Sequence, residues 1–301
     1  MKIDQDLIRK FEEQLDPQNI EASGIPAKLV GFGEISSIIA LQDLPGMVLK
    51  RMPMFPDVAS AENYLNTYRE YCSLLNAAGL KLPADDTAII KKSERLTVLY
   101  FAQQKFLPEQ IGNKVLKSLE KAELEQFIER VIAAIYSVWR FNKSQDKYQL
   151  AIDAQISNWA YVVDKNELYY IDTSTPLFKI DGIEQLDPEL ILTSAPSFGR
   201  AIIRKFFLAD VMNRYYDEKS VNVDLVANLY KEKLANLVPL FIEKINERSS
   251  GKLTEEEVAA YYKEDNFIWA LFLSLRKIDR WLHTYLYRKQ YQFILPGKIE
   301  R

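Results

Sequence analysis

Strand-forming and helix-forming stretches are segregated along this chain, and that limits the folds open to it more than any other feature. Apolar β-formers cluster in two runs within "AKLVGFGEISSIIALQDLPGMVLKRMPMF". The "QDLPG" between them is turn chemistry, so the segment is expected to form a hairpin preceded by the glycines Gly31 and Gly33. Residues 60–78 switch to a helical period, with Tyr64, Leu65, Tyr68, Leu75 and Ala78 on the apolar side and Gly79 placed to end the helix. "KLPADDTAIIKKSERLTVLYFAQQKF" then supplies two more strands around a polar turn. Ahead of them all, residues 4–15 read as a short amphipathic helix with Leu7, Ile8, Phe11 and Leu15 on one side.

From Pro108 onwards the chain is mostly helical. Phe127, Val131, Ile135 and Val138 set the core side of one amphipathic run, and long helical segments follow at roughly 197–217, 221–247 and 254–289. The aromatics of "FIWALFLSL" and "WLHTYLY" recur at helical spacing and are expected in the core. One interruption stands out: "NWAYVV" and "ELYYID", two short strands joined by the turn "DKN". The expectation is an α+β fold in two parts. Residues 1–103 form a small β-rich lobe with one helix, and residues 104–301 a larger helical lobe. A connector lies near Gln104 to Pro108, with a cleft between the parts suited to a ligand.

Composition removes several classes of chemistry. The single cysteine, Cys72, permits no intrachain disulfide and sits in a helical run as a small hydrophobe. One cysteine and one histidine, His283, cannot build a zinc site of the usual kind and argue against a Ser-His-Asp or Cys-His hydrolase. Any catalysis must rest on carboxylates and lysines. The net charge of −3 gives no electrostatic case for nucleic acid. No apolar run approaches the roughly 20 residues that span a bilayer, and "MKIDQDLIRKFEEQLD" lacks the pattern of a signal peptide, so a cytoplasmic protein is expected.

Four stretches carry the chemistry that remains. "GFGEIS" is followed by a strand, "MVLKRM" ends a strand on Lys50, and "YREYCSLLNAAGLKLP" is a helix ending in glycine, an apolar residue and proline. In "IDAQISNWAYVVDKNELYYID", Asp153 precedes Asn158 by five positions, and a hairpin leads on to Asp172. Together they resemble the protein-kinase-like fold, nearest its aminoglycoside phosphotransferase and choline kinase branch, over about residues 25–215. The resemblance implies ATP and magnesium as cofactors. It implies Gly31 and Gly33 in a phosphate loop, Lys50 on the phosphates, and Glu70 orienting Lys50, with Glu62 on the same helix as the competing partner. It implies Asp153 engaging the acceptor hydroxyl and Asn158 with Asp172 holding magnesium, which takes hard oxygen ligands. Lysine, carboxylates and metal suffice because phosphoryl transfer asks for positioning and charge neutralisation.

The chain departs from that family in having "AI" before Asp153, where His-Gly or a related pair is usual, and "DTS" at Asp172, where an aromatic and glycine usually follow. The expected function is γ-phosphoryl transfer from ATP to a hydroxyl of a small molecule that the sequence does not identify. A pseudokinase that uses the cleft as a nucleotide-binding or interaction module is the alternative, as is transfer of AMP. Arg200, Arg204 and Lys205 in "GRAIIRKFF" either meet an anionic substrate or form a solvated helix face, and the latter is the expectation.

Overall fold

The structure, a computed structural model, describes residues 2–32, 36–187, 190, 212–249, 251–286 and 294. Gly33, Arg200, Arg204 and Lys205 lie outside the described residues, as does most of the segment 197–217. What is described is a mixed α+β chain with a sheet region followed by a helical region.

The sheet region begins with α1 (Gln5–Gln14), capped by the Asp4 carboxylate, which accepts from the Asp6 and Leu7 amides. Five strands follow: β1 (Ala27–Phe32), β2 (Ser37–Leu41), β3 (Met47–Arg51), β4 (Asp85–Ser93) and β5 (Leu96–Gln104), ordered β1-β2-β3-β5-β4. All neighbours are antiparallel. The "QDLPG" turn joins β2 to β3 as expected. The extra strand is β1, whose Lys28 and Val30 are exposed while Ala27 and Leu29 are half-buried. An edge strand with so little apolar alternation gives a weak signal in sequence.

Helix α2 (Val58–Ala77) crosses one face of the sheet. Asp57 caps its start through the Ser60 amide, and Gly79, at φ +91°, ends it. Paired backbone bonds, Gly79 N–H to Asn76 O and Leu80 N–H to Leu75 O, close that end in the manner that a left-handed glycine permits.

In the helical region come α3 (Gly112–Ser118), α4 (Lys121–Lys143), α5 (Glu218–Lys231), α6 (Val238–Asn246) and α7 (Glu255–Trp281). Phe127, Val131, Ile135 and Val138 of α4 are fully buried. The segment 221–247, expected as one helix, is two: Lys233 turns left-handed at φ 58°, and Pro239 opens α6. The aromatic expectation fails in part, because Phe267, Trp281 and Tyr285 are more than half exposed. Spacing alone does not tell which face of a long helix meets a core. Between α4 and α5 the chain forms β6 (Tyr148–Leu150), the hairpin β7 (Trp159–Val162) and β8 (Glu167–Tyr170), then β9 (Phe178–Ile180) and β10 (Ile183–Glu184). One apolar cluster runs from Leu99 and Phe101 of β5 through Tyr71 and Leu75 of α2 to Phe127 of α4 and Leu225 of α5. The two regions therefore share a core. No helix among the described residues is long and apolar enough to cross a membrane.

Candidate functional site

Side chains of a strand alternate between faces, and in β3 that alternation separates two cations. Met47, Leu49 and Arg51 point to the face covered by α1, where Arg51 is buried against Glu12. Val48 and Lys50 point the other way and line a cavity of about 1430 Å³ between the sheet and the helical region. Lys50 is 5% exposed. Its Nζ donates to the Ile171 carbonyl at 2.8 Å and lies 3.5 Å from Asp172 Oδ1.

Asp153 and Asn158 bracket a tight turn. The Gln155 amide donates to Asp153 Oδ1 at 3.1 Å, and Asn158 Nδ2 donates to the Asp153 carbonyl at 3.2 Å. A single 3-10 turn, Ile156–Asn158, leads straight into β7. The hairpin register pairs Trp159 with Tyr170, and the Ile171 amide extends it by donating to the Asn158 carbonyl at 2.9 Å. Asn158 and Asp172 are thereby carried to the same open end of the hairpin. Asn166, left-handed at φ 54°, closes the other end.

Three tyrosines of α2 hold the two loops. Tyr64, Tyr68 and Tyr71 recur at helical spacing on one face. Tyr71 donates to the Ala151 carbonyl at 2.8 Å, two residues before Asp153. Tyr64 donates to the Ser174 carbonyl at 2.7 Å, two residues after Asp172. Tyr68 donates to Asp85 Oδ2 at 2.6 Å and stands 3.4 Å from Thr173 Oγ1, and that hydroxyl oxygen accepts from Gln103 Nε2 at 3.3 Å. Burial above all, then the Asp172 charge, pushes the Tyr64 and Tyr71 phenols well above their usual range, so both remain donors at any physiological pH. Ala151 of "AI" and both residues of "TS" are thus bound through backbone and hydroxyl atoms. Helical spacing marks Tyr64 and Tyr68 only as apolar core positions and does not mark Tyr71. Their spacing is visible in sequence, but the loop carbonyls that Tyr64 and Tyr71 meet lie 110 and 80 residues away.

Gly112 is a further position that the sequence did not single out. It opens α3 directly against the turn between Asp153 and Asn158, so close that a Cβ would collide with the Ile156 carbonyl oxygen. From the far side, Gln155 Nε2 donates to Asp224 Oδ2 of α5 at 3.3 Å. The turn is held by three separate elements.

Gly31, Lys50, Asp153, Asn158 and Asp172 all line the one cavity. Gly31 does so from within β1, at a register shift opposite Ile38. Glu70 does not join them. Lys50 pairs with Asp172, whereas the Glu70 carboxylate bears on Lys147. With Tyr71 turned to the loops, the preceding residue points about 100° away around the helix. Burial pushes the Cys72 thiol up to about 11, which disfavours the thiolate.

For a divalent cation the cavity offers the Asp172 carboxylate and the Asn158 amide. Nδ2 of Asn158 is spent on the Asp153 carbonyl, which leaves Oδ1 as the atom able to ligate. No group of three His, Cys, Asp or Glu side chains that could hold a metal exists among the described residues. A carboxylate and an amide oxygen fit magnesium, which keeps several waters and takes further oxygens from phosphates.

A sequence model described as a family of unknown function (DUF6206) matches residues 41–280. No curated protein matches the chain.

Proposed function

We propose that this chain, which belongs to the DUF6206 family, is an ATP- and magnesium-dependent phosphotransferase with a two-lobed, protein-kinase-like fold. The observation that carries the reading is the convergence of Lys50 from β3 with Asp153, Asn158 and Asp172 from the turn and hairpin far along the chain, on one cavity. The antiparallel order β1-β2-β3-β5-β4, with α2 between β3 and β4, supports the same fold.

Each residue has a role its surroundings suit. Lys50, fixed at a buried strand end, would exchange the Ile171 carbonyl for a nucleotide phosphate. Asp172 and Asn158 Oδ1 would hold magnesium, which when bound neutralises charge on the phosphate oxygens. Apolar Ile38, Ala40 and Val48 of the sheet line the same cavity as Ile171, and a flat base would pack against them. Asp153 would take the acceptor hydroxyl's proton as its oxygen bonds to the γ-phosphorus and the bond to ADP breaks.

One observation favours a second reading, a nucleotide-binding module without turnover: Lys50 is paired with Asp172 and not with Glu70. The two readings part on a phosphate-release or acceptor-transfer assay with wild type and Asp153→Asn. Turnover lost in the variant supports catalysis. ATP binding without turnover in the wild type supports the module, and absence of magnesium-dependent ATP binding overturns both.

A further inference from the structure

We infer that the acceptor of this site is an anion: a hydroxyl-bearing small molecule that also carries a phosphate or carboxylate. The word acceptor rests on the phosphotransferase reading; the site itself does not. Away from Lys50 the cavity is walled by α3, α5 and α7. Asn113 Nδ2 donates to Glu232 Oε2 at 2.6 Å, and Lys231 Nζ lies 2.6 Å from Asp265 Oδ2, so the start of α3, the end of α5 and the first half of α7 meet there. Asn266, Ala270 and Lys277 continue the wall along α7 at helical spacing.

The charge of this wall is at odds with that of the chain. Overall the protein carries −3, yet among the described residues Lys114, Lys117, Lys231, Arg276 and Lys277 line this part against one carboxylate, Glu232. That carboxylate already accepts from Asn113 and Lys231 is already paired, whereas Lys114, Lys117 and Lys277 are exposed where they line the cavity. A cavity lined by one sign of charge concentrates ligands of the other.

The hydrogen-bonding groups point the same way. Asn228 is 2% exposed and lines the cavity, and its Nδ2 has no partner among the described residues. A buried donor left unmade is costly, and an oxygen of a bound ligand would satisfy it. Cations and an unspent donor suit phosphate or carboxylate oxygens. A cationic acceptor, such as an aminoglycoside or choline, would need more carboxylate than the described wall offers in Glu232, which already accepts from Asn113.

The test is calorimetric titration of glycerol 3-phosphate, gluconate and choline into the full chain loaded with magnesium and AMP-PNP. The variants are Arg276→Gln and, because a buried arginine can be needed for folding, the exposed pair Lys114→Glu with Lys117→Glu. Binding of glycerol 3-phosphate or gluconate that weakens tenfold or more in the double variant, with none for choline, is the expected result. Choline binding in place of the anions, no anion binding, or anion affinity unchanged in both variants would overturn the inference. AMP-PNP binding is read in the same titrations. Should it be absent, the phosphotransferase reading fails by itself, while the anion titrations still decide the character of the wall.

Discussion

Lys50 and Asp172 form a partly shielded ion pair across the cavity, 3.5 Å apart, with the lysine 6% and the aspartate 27% exposed at the side chain. The same ammonium group donates to the Ile171 carbonyl, so one cation ties the sheet to the strand end that carries the aspartate. In the proposed reaction both groups turn to the nucleotide, and the pair marks where phosphate and metal meet.

Asp172→Ala should therefore abolish magnesium-dependent stabilisation by ATP. A ligand at a hundred times its dissociation constant stabilises by about 2.7 kcal/mol, and about 2–4 °C accompanies each kcal/mol in a domain of this size. Thermal unfolding with and without magnesium and ATP checks this. A variant that keeps the shift would remove Asp172 from the metal.

Asp153→Asn should leave that shift in place and lower turnover by roughly 10²–10⁴-fold, the usual contribution of a positioned general base. Its amide can still accept from the Gln155 amide as the carboxylate does, so the turn should persist. Equal loss of binding and turnover would mean that Asp153 serves the turn alone.

Tyr71→Phe removes only a hydroxyl and leaves the Ala151 carbonyl buried without that donor. The expected cost is about 1–3 kcal/mol, measured by urea unfolding. Turnover should fall further than stability explains, because Ala151 leads into Asp153. Gly112→Ala should act on the same turn from the opposite side, through its collision with Ile156.

Glu12 predicts an acid limit. Burial would raise its pKa, but hydrogen bonds from Arg51, Lys92 and Tyr100 and the Arg51 charge outweigh that and hold it at about 2, against an ordinary value of 4.5. A carboxyl lowered on folding contributes stability that is full above its unfolded value and disappears as pH falls through the folded one. Stability should drop between about pH 4.5 and pH 2, and Glu12→Gln should flatten that part of the curve. Glu12→Ala, which strands a buried guanidinium, should cost about 3–5 kcal/mol.

The features legible in the sequence were those set by neighbours in sequence. The β7–β8 hairpin announced itself through two short apolar strands and "DKN", and with it came the shared open end of Asn158 and Asp172. Gly79 was readable as a cap because the left-handed turn it makes needs only local context. Glu70 departs from the role that likeness implies, because the rotation of α2 is decided by tyrosines whose hydroxyls meet loops 80 or more residues on. Burial of Glu12 was equally hidden: a carboxylate goes inside only when its cations arrive, and Arg51 and Lys92 come from separate strands.

The Glu12–Arg51 contact also bears on how this lineage is delimited. The segment shared with the family starts at residue 41, whereas the carboxylate neutralising Arg51 comes from residue 12 and β1 ends at Phe32. A polypeptide trimmed to the shared segment would keep Lys50 but lose what seats its neighbour on the opposite face. Relatives that lack an N-terminal acid should have replaced Arg51 as well, so the two positions are expected to change together.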